Sequence, residues 1–152
     1  MALHHRLMVH GARLWWRVRR PRTLGVRAIV VDAAGRIALV RHTYVDRWHL
    51  PGGGVKKWEA TDAAAIREAR EETGLAVAVE RLHGVFHHRQ EYKDDQVVVY
   101  VARARGDTAT RPDGFEIAEV GWFDADALPD VTPATRRRLE EYRRGAPVFG
   151  TW

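Results

Sequence analysis

A chain of 152 residues that is 45% hydrophobic fits one domain with a packed core, and its lack of cysteine excludes a disulfide framework, thiolate metal sites and cysteine nucleophiles. The formal charge of +5 does not mark a nucleic-acid-binding body: residues 1–31 hold seven arginines and no acidic residue, which leaves 18 basic against 20 acidic residues in the remainder. No run approaches the roughly 18 apolar residues of a membrane span, and the start lacks the apolar core of a secretory signal, so the expected location is the cytoplasm.

Between Arg6 and Arg19, the residues Met8, Ala12, Trp15 and Val18 fall on one helical stripe with arginines opposite. This predicts a basic amphipathic helix over residues 1–20, stopped by Pro21. Its arginines either form the solvated side of a helix packed on the domain or meet anionic lipid or nucleic acid. From Gly25 the period changes to that of a strand. Val26 to Val31 and Ile37 to Val40 flank the turn residues Asp32-Ala33-Ala34-Gly35, the pattern of a hairpin.

Residues 41–58 read as a long connection with Trp48 and Leu50 as apolar anchors and Pro51-Gly52-Gly53-Gly54 as a run that cannot be regular helix. Thr61 to Thr73 is the next helix, with Thr61 as expected N-cap and Gly74 at the position that ends it. Ala76 to His87 and Gln96 to Ala102 read as strands separated by the polar stretch Arg89 to Asp95. Val120 to Phe123 is a last short strand. Thr132-Pro133 opens a final helix to about Arg143, threonine capping and proline in the first turn. With no internal repeat or low-complexity linker, residues 1–152 form one domain.

The helix after the glycine run carries Arg67, Glu68, Glu71 and Glu72. At about 100° per residue, the three glutamates fall within an arc of roughly 100°. Ala65, Ile66, Ala69 and Thr73 centre on a different face, suited to packing on a sheet, so the acids are expected to point away from the core and toward the glycine loop. Carboxylates so close repel one another, and Arg67 four residues before Glu71 offsets only part of that. A hard divalent cation such as Mg²⁺ or Mn²⁺ takes oxygen ligands of this kind, whereas an isolated E-x-x-E-E is more often a solvated acidic face.

The wider spacing decides between these readings. Gly53 is followed after five residues by Glu59, then after seven by Arg67-Glu68-Ala69-x-Glu71-Glu72-x-Gly74-Leu75. This resembles the Nudix box, G-x5-E-x7-R-E-U-x-E-E-x-G-U with U apolar, at every defined position. Trp48-x-Leu50-Pro51-Gly52-Gly53 and Trp122-Phe123 with Leu128-Pro129 resemble common flanks of that box, which extends the resemblance over residues 25–145.

The resemblance implies an α/β fold, a Nudix-type α/β/α sandwich in which a mixed, curved sheet has the box helix on one side and the last helix on the other. It further implies a metal-dependent hydrolase that cuts a pyrophosphate bond in a nucleoside diphosphate linked to another group. Glu68, Glu71 and Glu72 would bind Mg²⁺ or Mn²⁺, with Arg67 orienting a neighbouring glutamate and the Gly53 carbonyl completing the shell. Glu68 is the first candidate for the general base. Because the base differs between members and can lie on a later loop, Glu91, Asp94 and Glu116 are held in reserve, also as substrate-binding residues. The resemblance leaves room for a homodimer.

One position departs from the common pattern: the residue before Glu59, often glycine, is Trp58, preceded by Lys56 and Lys57. The turn there must therefore be made differently, and Trp58 either stacks on a base at the pocket rim or anchors the loop by packing. His87, His88, Arg89 and Tyr92 stand near a strand end and are candidates to line the pocket. The site is expected between the glycine loop, the box helix and the strand after it. A nucleotide-sensing Nudix domain that uses its basic first helix as a contact is the alternative, disfavoured by so complete a box. An isomerase on the same fold, commonly needing a cysteine, ranks last.

Overall fold

The computed structural model describes residues 22–90, 93–145 and 149–152. The expected basic helix over residues 1–20 and the candidates Glu91 and Tyr92 lie outside them. The elements in chain order are β1 (Arg22–Val31), β2 (Ile37–His42), β3 (Trp48–His49), α1 (Thr61–Thr73), β4 (Ala76–Gln90), β5 (Lys93–Arg105), β6 (Ile117–Phe123), α2 (Pro133–Arg144) and β7 (Phe149–Thr151). They form a mixed sheet of order β3-β2-β1-β5-β4-β7, with β6 on the other edge of β2.

Alternation along the central strands buries both faces of the sheet. Ala28 and Val30 of β1 pack with Ala102 of β5 and Ala69 of α1. Their neighbours Ile29 and Val31 pack with Val99 and Val101 and with Leu139 of α2. The result is the expected α/β/α sandwich, and the near-continuous apolar runs of β1 and β5 are what a strand covered on both faces requires. Full burial of Ile29, Leu39, Phe86 and Leu139 contributes about 1.5–3 kcal/mol each. The side of α1 that meets the sheet is built from Ala64, Ala65 and Ala69, whose short side chains bring the helix close to it.

β1 and β2 share only the pair Val31↔Ile37 before they diverge. β1 then runs parallel to β5 from Arg22↔Asp94 to Val31↔Arg103, while β2 pairs with β6 and, on its opposite edge, with β3. The chain from β3 onward fills the opening. The Ala28 amide donates to the Pro51 carbonyl, the Val26 amide to Gly53, and the Val55 amide to Leu24, each at 2.9–3.0 Å. The glycine run is thus laced to the edge of β1 that β2 has left, which satisfies backbone groups that would otherwise be orphaned.

Several local expectations need correction. Thr61 is the first helical residue rather than the cap: the N-cap is Ala60, and the Thr61 hydroxyl bonds Tyr100 Oη at 2.6 Å. Ile66 is 36% exposed and does not face the sheet. The polar stretch Arg89 to Asp95 belongs largely to the ends of β4 and β5, where Arg89↔Asp94 is a cross-strand pair. β3 and β7 were not expected, each being too short to show a period. Gly74 does end α1, at φ 74° with its amide on the Arg70 carbonyl, and Thr132 caps α2 through Thr135 N.

Candidate active site

Two glutamates of α1 reach consecutive residues of the glycine turn. The Glu72 carboxylate accepts the Gly52 amide at 2.9 Å and is 9% exposed. The Glu68 carboxylate lies against Gly53 so closely that a Cβ built there would stand 2.7 Å from its carboxyl carbon. Contrary to expectation, then, the acids of α1 do not all point away from the interior. Glu72 fills the gap between helix and loop because the lacing of the loop to β1 turns the Gly52 amide toward it.

Arg67 organises the remaining acids. Its Nε and Nη2 make a fork to Glu59 at 2.7 and 2.9 Å, while Nη1 donates to Glu68 at 2.6 Å and to Glu71 at 3.1 Å. Nη2 also reaches the Gly54 carbonyl at 3.1 Å, tying helix to loop. The fork holds the Glu59 carboxyl down at about 2, and the three acids in return raise the guanidinium pKa. The turn before Glu59 is made after all by Trp58, which adopts the left-handed conformation itself, at φ 66°. Its side chain is 91% exposed, so it is no packed anchor, and Lys57 Nζ lies over its ring, 5.3 Å from the centroid.

Burial pushes the Glu72 carboxyl up to about 7, opposed by the Gly52 amide and by Arg27 and reinforced by the negative charges of Glu68 and Glu116. Arg27, from β1, reaches under the loop to donate to the Leu50 and Gly52 carbonyls. A buried carboxylate facing two more carboxylates is under-neutralised by that one guanidinium. The donor set, all oxygen, suits a hard divalent cation, and the site therefore fits such an ion. Among the described residues, however, no three acidic or imidazole side chains already surround one point, because Arg67 holds Glu68 and Glu71. The Gly53 carbonyl, expected to complete the shell, accepts the Val26 amide at 2.9 Å with one of its two lone pairs.

The reserve residues separate. Asp94 is tied to His87 at 2.8 Å and Arg22 at 3.1 Å at the start of β1, and both hold its carboxyl below the usual range. Glu116 is exposed but its charge is felt at Glu72. Its loop is held by Asp113, whose Oδ1 accepts the amides of Phe115, Glu116 and Ile117 at 2.8–3.0 Å.

A family model described as the NUDIX domain matches residues 21–143. The chain belongs to the NUDIX family. Among relatives, the Bacillus subtilis (strain 168) protein named "Putative 8-oxo-dGTP diphosphatase" is 33% identical over 125 residues, 82% of either chain. The crystal structure of a MutT NUDIX hydrolase from Burkholderia pseudomallei superposes with a TM-score of 0.67 at 33% identity, covering 79% of this chain and 97% of that one. That of a UDP-X diphosphatase gives 0.71 at 27% identity, covering 86% and 67%. The protein is a NUDIX pyrophosphohydrolase.

Three residues of this NUDIX site were missed in the sequence. Arg27 is hidden in an apolar strand pattern. His42 and His49 face each other with ring centroids 5.2 Å apart, and the buried His42 Nδ1 and His49 Nε2 have no hydrogen-bond partner among the described residues. Burial and the nearby Arg27 charge lower both imidazole pKa values, that of His49 to about 4. Only the alternation of β1, which turns Arg27 to the face opposite Val26 and Ala28, could have signalled one of them. Beside Arg27 opens a cleft of about 320 Å³, lined by the start of β1, Gly53, Gly54, the facing ends of β4 and β5, and Trp152. It reaches the glycine loop and β4 as expected, but its far wall is formed by β5 and Trp152 rather than α1.

Proposed function

We propose that this NUDIX enzyme hydrolyses a pyrophosphate bond in a nucleoside diphosphate linked to another group, with Glu68, Glu71 and Glu72 holding Mg²⁺ or Mn²⁺. The observation that carries this reading is the delivery of Glu68 and Glu72 to Gly53 and Gly52, two carboxylates brought to one glycine turn. When bound, a divalent cation supplies screening of the phosphate oxygens and activation of water.

The chain's own residues do the rest. Arg67 keeps the Glu68 and Glu71 carboxylates beside the glycine turn, and both would have to turn from it to share a cation. The Gly52 amide and Arg27 favour the ionised form of Glu72, against its burial. Glu68 is our assignment for the group that takes the proton of the attacking water, with Glu116 second because its charge reaches the same carboxylate cluster. Arg27 offers the substrate's phosphates a fixed positive charge beneath the loop.

The test is hydrolysis of a panel of nucleoside diphosphate derivatives with Mg²⁺ and with Mn²⁺, scored by released mononucleotide or phosphate. Activity that is lost in Glu72→Gln, with the circular dichroism spectrum unchanged, is the expected result. A folded wild-type protein that turns over nothing in the panel with either cation would sink the reading.

A further inference from the structure

We infer that the cleft between the glycine loop and Trp152 is the nucleobase subsite, and that it selects a purine carrying an amino group through Asp95 and Trp152. The inference rests on the hydrolase reading above for the identity of the ligand, and on the cleft itself for everything else. A volume of about 320 Å³ lies within the span of small-molecule sites.

One side of this cleft is bare backbone. Gly25 and Gly54 form an isolated β-bridge, and a Cβ on Gly54 would meet nothing within 4 Å. Glycines here leave a flat, open floor, the space a planar ring needs. The half-buried indole of Trp152 lines the same space. It is braced by Phe86, at 6.3 Å between ring centroids, and by Arg138, at 5.6 Å from its centroid. Its own amide is held by the His87 carbonyl at 2.9 Å. An indole fixed in this way stacks on a base with little further loss of side-chain freedom.

Asp95 supplies the discrimination. Its Oδ1 accepts the Thr23 hydroxyl, while among the described residues Oδ2 has His88 Nδ1 nearby, at 3.9 Å. The carboxylate is 21% exposed and accepts hydrogen bonds without donating any. It matches a base edge with an amino group, with or without an adjoining ring N–H, whereas uracil offers it a single ring N–H flanked by two repelling carbonyl oxygens. Carboxylate–carbonyl juxtaposition leaves acceptors unpaired, and unpaired buried groups give strong rejection. The cleft is polar in sequence: Asp95 and His88 line it together with Gly53 and Arg27, and Arg27 leads to Glu72. A nucleotide with its base against Trp152 therefore directs its phosphates to the carboxylate cluster.

The experiment is calorimetric titration of the full chain with GMP, AMP and UMP in Mg²⁺, alongside KM values for guanine- and uracil-containing nucleoside diphosphate sugars. Wild type is expected to bind GMP and AMP at least about tenfold more tightly than UMP, and Trp152→Ala to lose about tenfold in purine affinity. Trp152→Phe, which keeps an aromatic face, should retain most of it. Asp95→Asn, which adds a donor without changing shape, should bring GMP and UMP close to equal. Equal binding of the three nucleotides by wild type overturns the inference, as does an unchanged GMP preference in folded Asp95→Asn. The second criterion stands even if Trp152→Ala fails to fold. Hydrolysis without base discrimination removes the subsite and leaves the hydrolase. Trp152-dependent purine binding without any hydrolysis does the reverse.

Discussion

The carboxyl carbon of Glu68 lies 2.7 Å from where a Cβ on Gly53 would be. The first glycine of the box is therefore a requirement of side-chain space rather than of backbone conformation, since Gly53 is not among the positive-φ residues. Gly53→Ala is expected to fold and to displace Glu68. Because an error of about 1 Å in a catalytic group can cost about a hundredfold, kcat should fall by at least about tenfold, with little change in melting temperature. Gly52 differs: at φ 149°, a Cβ there would stand 2.1 Å from the Val26 carbonyl oxygen. Gly52→Ala should lose about 3 kcal/mol or more of stability in a denaturant titration.

Arg67 is shared by Glu59, Glu68 and Glu71, so its removal leaves three acids without a common cation. Arg67→Ala should melt lower than wild type in EDTA and recover more than wild type when Mg²⁺ is added, with kcat remaining depressed. Arg67→Lys keeps the charge but loses the fork and should lie between the two. Equal Mg²⁺-induced shifts in all three proteins would contradict this account.

Glu72 gives stability a pH dependence of definite sign. Its carboxyl is raised from 4.5 unfolded to about 7 folded, chiefly by burial. The folded state thus holds a proton that the unfolded state has released, and the contribution is complete below 4.5 and lost as pH rises through 7. The shift corresponds to about 3 kcal/mol, so in EDTA the wild type should lose stability relative to Glu72→Gln between about pH 5 and about pH 8. Mg²⁺ should reduce the difference by favouring the ionised form. Parallel curves for the two proteins in EDTA would refute the shift.

Trp58 holds a left-handed turn at φ 66° while 91% exposed. Trp58→Gly relieves roughly 1–2 kcal/mol of local conformational cost against about 1 kcal/mol of added unfolded-state entropy, so stability should change by no more than about 1 kcal/mol. Trp58→Val, β-branched at the same φ, should cost about 1 kcal/mol more. Trp58 does not line the cleft, so KM should be unchanged in Trp58→Gly. A raised KM with intact stability would return this residue to the substrate.

The sequence by itself determined the elements whose signal is local. The spacing from Gly53 to Leu75 identified the family, the period of Thr61–Thr73 placed Glu68, Glu71 and Glu72 within one arc, and Gly74 and Thr132 marked helix ends. All of these depend on neighbours within a few residues, where helix geometry alone fixes relative position. The tertiary structure decided what the loop and the pocket are made of. The divergence of β1 from β2 after one pair threads Pro51–Val55 along β1, turns the Gly53 carbonyl inward and aims the Gly52 amide at Glu72. It also gathers Arg27, His42, His49, Asp95 and Trp152 from distant parts of the chain. No periodicity links such residues, because their proximity comes from strand pairing and from the burial of both sheet faces, which act on the whole fold at once.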